Sequence, residues 1–367
     1  MHIARLAMLT GLRRICGMEE LREQDLAQKG NSGSGTMLPS RPTLKTIAEL
    51  CGLGVPTVSR AMNDSPAIGE ETKRRVRQVA EEIGYVPDRA ALRLRTGRTQ
   101  SISLAFAIYR DAQLGQLITS IATALDSTSY QVGIAPMLSN DRALEPIRQV
   151  VEGRLADAVI FNETYIEDPR VHYLLERGFP FATHGRDSLS HLHPYFDFDN
   201  HTFGRKAVSV LHKRGRHHLA LLGPQLHYYY GTDTFVGASE AAVELGLAFE
   251  QIPGAFSNSK LVDLQRAARQ FVAERPECDG FICSSSHATL AVASALEEVG
   301  RVVGRDVDVI AKGSRVTLSM IRPGILAVEE DVGLAANFLT RAVLQAIDAP
   351  DLPPLQYLEQ PDFSMYL

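Results

Sequence analysis

From Ser101 onward the chain alternates short apolar runs with longer stretches of helical period, and this alternation constrains the fold more than any other feature. Strand-like runs are predicted at 102–108, 131–135, 158–161, 181–183, 219–222, 280–283 and 307–310, with helical patterns between them at 114–127, 141–152, 202–213 and 288–299. A strand that is followed by a helix returns to the same edge of its sheet, so the strands run parallel and the helices cover both faces. Roughly 260 residues of this pattern predict an α/β architecture with room for two lobes.

The stretch 43–84 has a different period. Thr43 is placed to cap a helix that carries Leu44, Ile47, Ala48 and Cys51 on one face, and Gly52-Leu53-Gly54 breaks it. A second short helix is predicted over 55–62, with Pro56 in its first turn, where a missing N–H costs little. Asn63-Asp64-Ser65-Pro66 reads as a turn. A third helix is predicted from Glu70 to Ile83, with two glutamates at its positive end and Gly84 as its stop.

Charge separates the same two regions. Residues 41–98 hold 11 Lys and Arg against 7 Asp and Glu, although the whole chain carries a net charge of −5. The segment beyond 98 is therefore strongly acidic, and a basic module on an acidic body is what a polyanion-binding head predicts. No apolar run approaches the roughly 18 residues of a membrane helix, and no cleavage site follows the N-terminus, so neither membrane insertion nor secretion is expected. Four cysteines (Cys16, Cys51, Cys278 and Cys283) lack metal-type or disulfide spacing and read as reduced thiols of a cytoplasmic protein. Residues 1–40 read as an extension that ends in the flexible Gly30-Asn31-Ser32-Gly33-Ser34-Gly35, and Met37 stands where a native start would fit.

Two short helices joined by a Gly-containing turn suggest a helix-turn-helix. Val58 and Ala61 face inward, which leaves Val55, Pro56, Thr57, Ser59 and Arg60 near the helix start that enters a major groove. Arg60 has the fork geometry for a guanine edge, and the hydroxyls of Thr57 and Ser59 suit phosphate or base-edge contacts. A plain three-helix bundle with a solvated arginine is the alternative at this point.

The continuation decides between them. Thr43-Leu44-Lys45-Thr46-Ile47-Ala48, Thr57-Val58-Ser59-Arg60, Glu70-Glu71-Thr72, Ile83-Gly84-Tyr85-Val86-Pro87 and Leu94-Arg95-Thr96-Gly97-Arg98-Thr99 occur in that order. The run closely resembles the N-terminus of the lactose/galactose repressor (LacI/GalR) family of transcriptional regulators. The resemblance implies a three-helix helix-turn-helix head at 41–86 and a hinge helix at 87–98. It implies a periplasmic-binding-protein-like core at 99–367, which binds an effector and dimerises. The N-lobe would span about 99–196 and 330–353, and the C-lobe about 197–329 and 354–367. Operator DNA would be contacted by Thr43, Val55, Pro56, Thr57, Ser59, Arg60 and Asn63 in the head and by Arg89, Ala91, Leu94 and Arg95 in the hinge. Leu94 matches the family leucine that wedges between base steps in the minor groove. Gly54 and Gly69 stand where serine caps are usual, and Pro56 offers no hydrogen bond at a position that varies to choose the operator.

In the core, family-like anchors include His184-Gly185-Arg186, Asp199-Asn200 and Leu221-Leu222-Gly223-Pro224, but the effector positions depart from the sugar-binding pattern. Thr234 replaces an arginine three residues before Gly237, Ser285-Ser286 replaces Asn-Asp, and Ala311-Lys312-Gly313-Ser314 replaces a Gly-aromatic-Asp-Asp run. The expected effector residues are Tyr109, Arg110, Glu163, Thr164, His184, Arg186, Tyr230, Thr234, Ser285, Ser286, Lys312 and Glu330. Lys312, Arg110 and Arg186 would favour an anionic ligand, while a neutral sugar stays open.

The histidines His184, His191, His193, His201, His212, His217 and His218 lack ligand spacing with a Cys or Glu partner, so no metal and no cofactor is expected. No Gly-rich phosphate loop or nucleophile elbow occurs, and nothing points to an enzyme. The expected protein is a dimeric repressor of carbohydrate genes that binds double-stranded operator DNA under control of a sugar or sugar-like effector. No heptad helix is appended that would make a tetramer. The alternatives are a regulator with a degenerate pocket that answers to a protein partner, and a solute-binding receptor.

Overall fold

A computed structural model describes residues 42–86, 93, 96–107, 112–137 and 142–366. The chain divides into two compact units, with the boundary between Asp88 and Arg89.

The first unit contains three helices, α1 (Leu44–Cys51), α2 (Val55–Met62) and α3 (Glu70–Glu82). Thr43 and Thr46 close a capping box on α1: the Thr43 hydroxyl accepts from Thr46 N–H at 3.3 Å, and the Thr46 hydroxyl accepts from Thr43 N–H at 3.1 Å. Gly52 ends α1 at φ 66°, a conformation glycine adopts without strain. Gly54 starts α2 without any side-chain cap, as its lack of a side chain dictates. Ile47, Ala48, Cys51, Val58, Ala61, Val76 and Ala80 form the small core. Asp64 ties the turn to α3, accepting from Arg77 at 2.8 Å and facing the Lys73 ammonium at 3.1 Å.

The second unit holds two parallel sheets. In the first lobe β1 (Ser101–Ala105), β2 (Gln131–Ile134), β3 (Ala158–Asn162), β4 (Phe181–His184), β5 (Tyr195–Phe198) and β11 (Gln356–Glu359) lie in the order β11-β5-β4-β3-β1-β2. In the second lobe β6 (His218–Leu222), β7 (Ala248–Gln251), β8 (Gly280–Cys283), β9 (Asp308–Lys312) and β10 (Leu326–Val328) lie in the order β10-β9-β8-β6-β7. Every named pairing is parallel. The central strands read Ala-Val-Ile-Phe and Gly-Phe-Ile-Cys and are buried throughout, as strands covered on both faces must be.

Helices α4 (Ala112–Leu125), α5 (Leu144–Glu152), α6 (Pro169–Arg177) and α12 (Val332–Asp348) cover the first sheet, with clusters on its two faces around Leu104 and Phe338 and around Phe161 and Leu174. Helices α7 (Asn200–Lys213), α8 (Tyr229–Leu245), α9 (Leu261–Glu274), α10 (Ser286–Glu298) and α11 (Arg315–Ile321) belong to the second lobe. Helices α7 and α8 approach so closely that a Cβ on Gly237 would stand 2.1 Å from the His201 carbonyl, and one on Gly204 would stand 2.4 Å from that of Thr234. Among the described residues no helix is long and apolar enough to cross a membrane.

The chain passes between the lobes three times, at 198–200, 328–332 and 359–363. The lobe limits differ from the expected ones in two places. Tyr195–Phe198 lies wholly in the first sheet, so that lobe runs on past 196. Residues 354–367 are split: Gln356–Glu359 forms the edge of the first sheet, and only Phe363 and Tyr366 pack in the second lobe. There the Tyr366 hydroxyl bonds both the carbonyl and the N–H of Ala327. Sheet membership is set by pairing with strands far away in the chain, and local periodicity carries no record of it.

Candidate functional site

The candidate DNA-reading face of the head is carried by α2. Its inward side chains, Val58 and Ala61, are fully buried, and the helical period therefore turns Val55, Pro56 and Arg60 to solvent. Thr57 and Ser59 are half-buried, and Thr43 and Asn63 are exposed. Asn63 closes the helix, its amide donating to the Ser59 carbonyl at 2.5 Å. Among the described residues no acidic side chain pairs with Arg60, so its guanidinium stands ready for an external acceptor. Arg89, Ala91, Leu94 and Arg95, the expected hinge contacts, lie outside the described residues, as do Tyr109 and Arg110 of the expected effector set and the extension 1–40.

In the second unit a cavity lies where both sheets present the C-terminal ends of their strands. In the first sheet the chain order reverses between β1 and β3, and in the second between β6 and β8. Loops that leave a sheet at such a reversal diverge and open a crevice. Ala107, Asn162 and Glu163 enter the cavity from the first reversal, and Ser284 and Ser285 enter it from the second. His184, Asp197, Asn200, Lys312 and Glu330 complete the wall at strand ends and crossovers, with Tyr230 at the start of α8 and Ser257 and Asn258 after β7.

Charge on this wall is largely matched. His184 donates to Glu330 at 2.5 Å, and the Lys312 ammonium lies 3.4 Å from the other oxygen of Glu330. Burial opposes the charged form of Glu330, but His184 and Lys312 overcome it and hold the carboxyl down at about 2. Burial likewise works against protonated His184, and Glu330 outweighs it, so the imidazole titrates above its ordinary range. Lys312 also donates to the Asn200 side chain at 3.1 Å and sits 4.2 Å over the Phe198 ring. Burial lifts the Asp197 carboxyl despite the Arg186 guanidinium beside it.

One buried ion pair shapes the loop after β3. Asp168 and Arg170 are both fully buried, with Nη2 at 2.6 Å from Oδ2. The same guanidinium donates to the carbonyl of Glu163 at 2.9 Å and to that of Asn162 at 3.2 Å, while Asp168 accepts from Tyr165 N–H at 3.0 Å. Glu163 is thereby fixed at φ 52°, an uncommon conformation for a side-chain-bearing residue, on the cavity wall.

Of the expected effector residues, Glu163, His184, Tyr230, Ser285, Lys312 and Glu330 line the cavity. Thr164, Arg186, Thr234 and Ser286 do not. Thr164 is buried and gives its hydroxyl to the Arg186 carbonyl at 2.6 Å. Arg186 is committed to Asp197 and Asp233. Thr234 is buried against α7 and donates to the Tyr230 carbonyl. Ser286 belongs to the first turn of α10, which Ser285 caps, accepting from Ala288 N–H. The expectation passed over Asn162, Asp197, Asn200, Ser257, Asn258 and Ser284. Asn162 directly follows a predicted strand and Asn200 belongs to the Asp199-Asn200 anchor, so both were findable, whereas nothing local marks Ser257 and Asn258. Of the seven histidines named above, His193 is buried against Asp187 and His201 pairs with Glu240. Among the described residues no group of three His, Cys, Asp or Glu side chains could hold a metal ion.

Comparison with known proteins agrees with both halves. Residues 43–88 match the family model of bacterial regulatory proteins, lacI family, and residues 208–364 match that of a periplasmic binding protein-like domain. The chain is 30% identical over 287 residues to the HTH-type transcriptional regulator AglR of Rhizobium meliloti (strain 1021), spanning 76% of this chain and 79% of that one. It is 25% identical to the HTH-type transcriptional regulator CelR of Thermobifida fusca, spanning 86% and 95%. Among solved structures, the lac repressor dimer bound to operator and the anti-inducer ONPF matches with a TM-score of 0.74 at 17% identity, over 88% of this chain and 97% of that one. The CelR–cellobiose complex matches with a TM-score of 0.65 at 23% identity, over 88% and 98%. A capped three-helix head with an arginine exposed on its second helix, two parallel sheets facing one cleft, and relatives along most of the length all agree: the chain belongs to the lacI family of bacterial regulatory proteins, which are DNA-binding transcriptional regulators and not enzymes.

Proposed function

We propose that this regulator is a dimeric repressor whose effector is a neutral, polyhydroxylated sugar held in the cleft between the two sheets. The observation that carries the reading is the polar character of the wall. Glu163, Asp197 and Glu330 offer carboxylate acceptors, and Asn258 Nδ2 and Ser284 Oγ are buried without a hydrogen-bond partner among the described residues. A buried donor left unbonded costs about 1–3 kcal/mol, which a ligand hydroxyl placed there recovers. An anionic ligand is disfavoured, because Lys312 already faces Glu330 and Arg186 faces two aspartates. The structure of CelR with cellobiose shows a relative of this fold occupied by such a sugar.

On the DNA side, Val55, Pro56, Thr57, Ser59, Arg60, Asn63 and Thr43 form the reading surface, with Arg89, Ala91, Leu94 and Arg95 as hinge contacts. Two heads, one per subunit, read a roughly palindromic operator. Closure of the lobes around the sugar biases the state that binds DNA, so sugar and operator alter each other's affinity by the same factor.

Two measurements test this. Titration calorimetry of the full chain against cellobiose, sucrose and glucose 6-phosphate is expected to give binding by a neutral sugar and none by the phosphate. Silence across the neutral sugars would favour control by a protein partner. Arg60→Ala is expected to lose about 1–3 kcal/mol of discrimination between operator and random duplex while keeping salt-sensitive non-specific binding. Undiminished discrimination in a fluorescence anisotropy competition would remove Arg60 from the reading surface.

A further inference from the structure

The crossovers are not the sole connection between the lobes. The loop after β3 and the loop before α8 share an antiparallel bridge between Tyr165 and Tyr228. Ile166 N–H donates to the His227 carbonyl and Tyr229 N–H donates to that of Thr164, both at 3.1 Å. The Tyr165 ring lies 5.3 Å from the rings of both His227 and Tyr228. Beside this seam Arg186, on the loop after β4, donates from Nε to Asp197 Oδ2 and from Nη2 to Asp233 Oδ2, each at 2.8 Å. Its guanidinium also stands 5.1 Å over the Tyr229 ring. Asp197 belongs to the first lobe and lines the cavity, whereas Asp233 and Tyr229 belong to α8 of the second. Gly185 makes the approach possible: it sits at φ 124°, and a Cβ there would stand 2.6 Å from the Thr164 hydroxyl.

We infer that Arg186 is a positioning residue that couples occupancy of the cavity to closure of the lobes, through one guanidinium shared between the cavity-wall carboxylate of Asp197 and the opposite lobe's Asp233. A planar fork with fixed donor directions suits this sharing, since moving one partner tilts the plane presented to the other. A hydroxyl that donates to Asp197 changes what Arg186 can give Asp233, and by linkage the state of the latch changes the affinity of the cavity. The position was expected to touch ligand; its geometry instead makes it the link between ligand and closure. The coupling rests on the proposed reading that the cleft holds the effector. The latch itself is a property of the empty protein, and the experiment examines it there.

Amide hydrogen–deuterium exchange, read by mass spectrometry on the full chain without sugar, reports the two seam amides through peptides that contain Ile166 and Tyr229. Asp233→Asn is expected to speed their exchange about tenfold while β3 and β6 keep their protection, since each lobe retains its own core. Asp233→Glu is expected to restore most of the protection. Unchanged exchange in Asp233→Asn overturns the latch, and so does acceleration that spreads into β6, which would mark general loosening of the second lobe. Asp197→Ala, which alters the cavity wall and touches neither seam amide, is expected to speed the same peptides about threefold. An unchanged or slowed rate there removes the coupling. None of these outcomes depends on sugar binding, so failure of the latch and failure of the effector reading are separable.

Discussion

The two lobes share one architecture but meet the cleft with different chemistry. The first lobe brings a frame of carboxylates and their partners: Glu163 on a loop pinned by the Asp168–Arg170 pair, and His184 against Glu330 at the crossover. The second lobe brings neutral groups, Ser257, Asn258, Ser284, Ser285 and Tyr230, and the Asn258 and Ser284 donors have no partner among the described residues. Its cation, Lys312, reaches across to Glu330. One wall is preorganised and the other is incomplete. On the proposed reading, a ligand gains more from completing the second wall than from disturbing the first, and closure would be the motion that brings the incomplete wall to it.

The largest test of this contrast removes the pin of the first wall. Arg170→Met leaves Asp168 buried and uncompensated, and is expected to cost about 3–5 kcal/mol in urea unfolding. Combining it with Asp168→Asn, which keeps the helix cap without the charge, is expected to recover part of that loss. A cost under about 1 kcal/mol would show that the first wall does not depend on its ion pair.

Glu330→Gln comes next, with an expected loss of about 2 kcal/mol at neutral pH. The folded carboxyl titrates at about 2, below its ordinary 4.5. Its contribution is thus complete above 4.5 and fades as pH falls towards 2. The difference between wild type and variant should shrink over that range, and a difference independent of pH would contradict the His184–Glu330–Lys312 account.

The smallest effect on stability is predicted for the second wall. Ser284→Ala removes a hydroxyl that bonds no described residue, so stability should be unchanged or rise by up to about 1 kcal/mol. Affinity for whichever neutral sugar binds should fall about tenfold, because one hydrogen bond is lost from the complex. If the variant instead loses stability and keeps affinity, the contrast between the walls is wrong.

Local features of the sequence carried much of this molecule. Thr43 caps α1 as its residue type announced, with Thr46 completing a capping box that was not expected, and Val58 and Ala61 turn inward on the helical period. The fully buried runs of β3 and β8 stood out because parallel strands need apolar residues on both faces. Strand β5, Tyr-Phe-Asp-Phe, escaped notice because Asp197 interrupts its apolar run. The same Asp197 is a wall residue of the cavity, so the strand and part of the site were missed for one reason. Strands β7 and β11 are short and partly exposed and β10 has only three residues, so the existence of each depends on the neighbour it pairs with.

By itself the sequence determined the helix-turn-helix head, the parallel α/β plan and the chemistry available at strand ends, because these follow from caps, periods and apolar runs that act over a few residues. Only the tertiary structure decided which charges meet. Lys312 spends its charge on Glu330 from 18 positions away, and Arg186 faces Asp233 from 47 positions away. Such encounters are set by how two separate sheets dock, and docking is the sum of many distant contacts that no local pattern encodes.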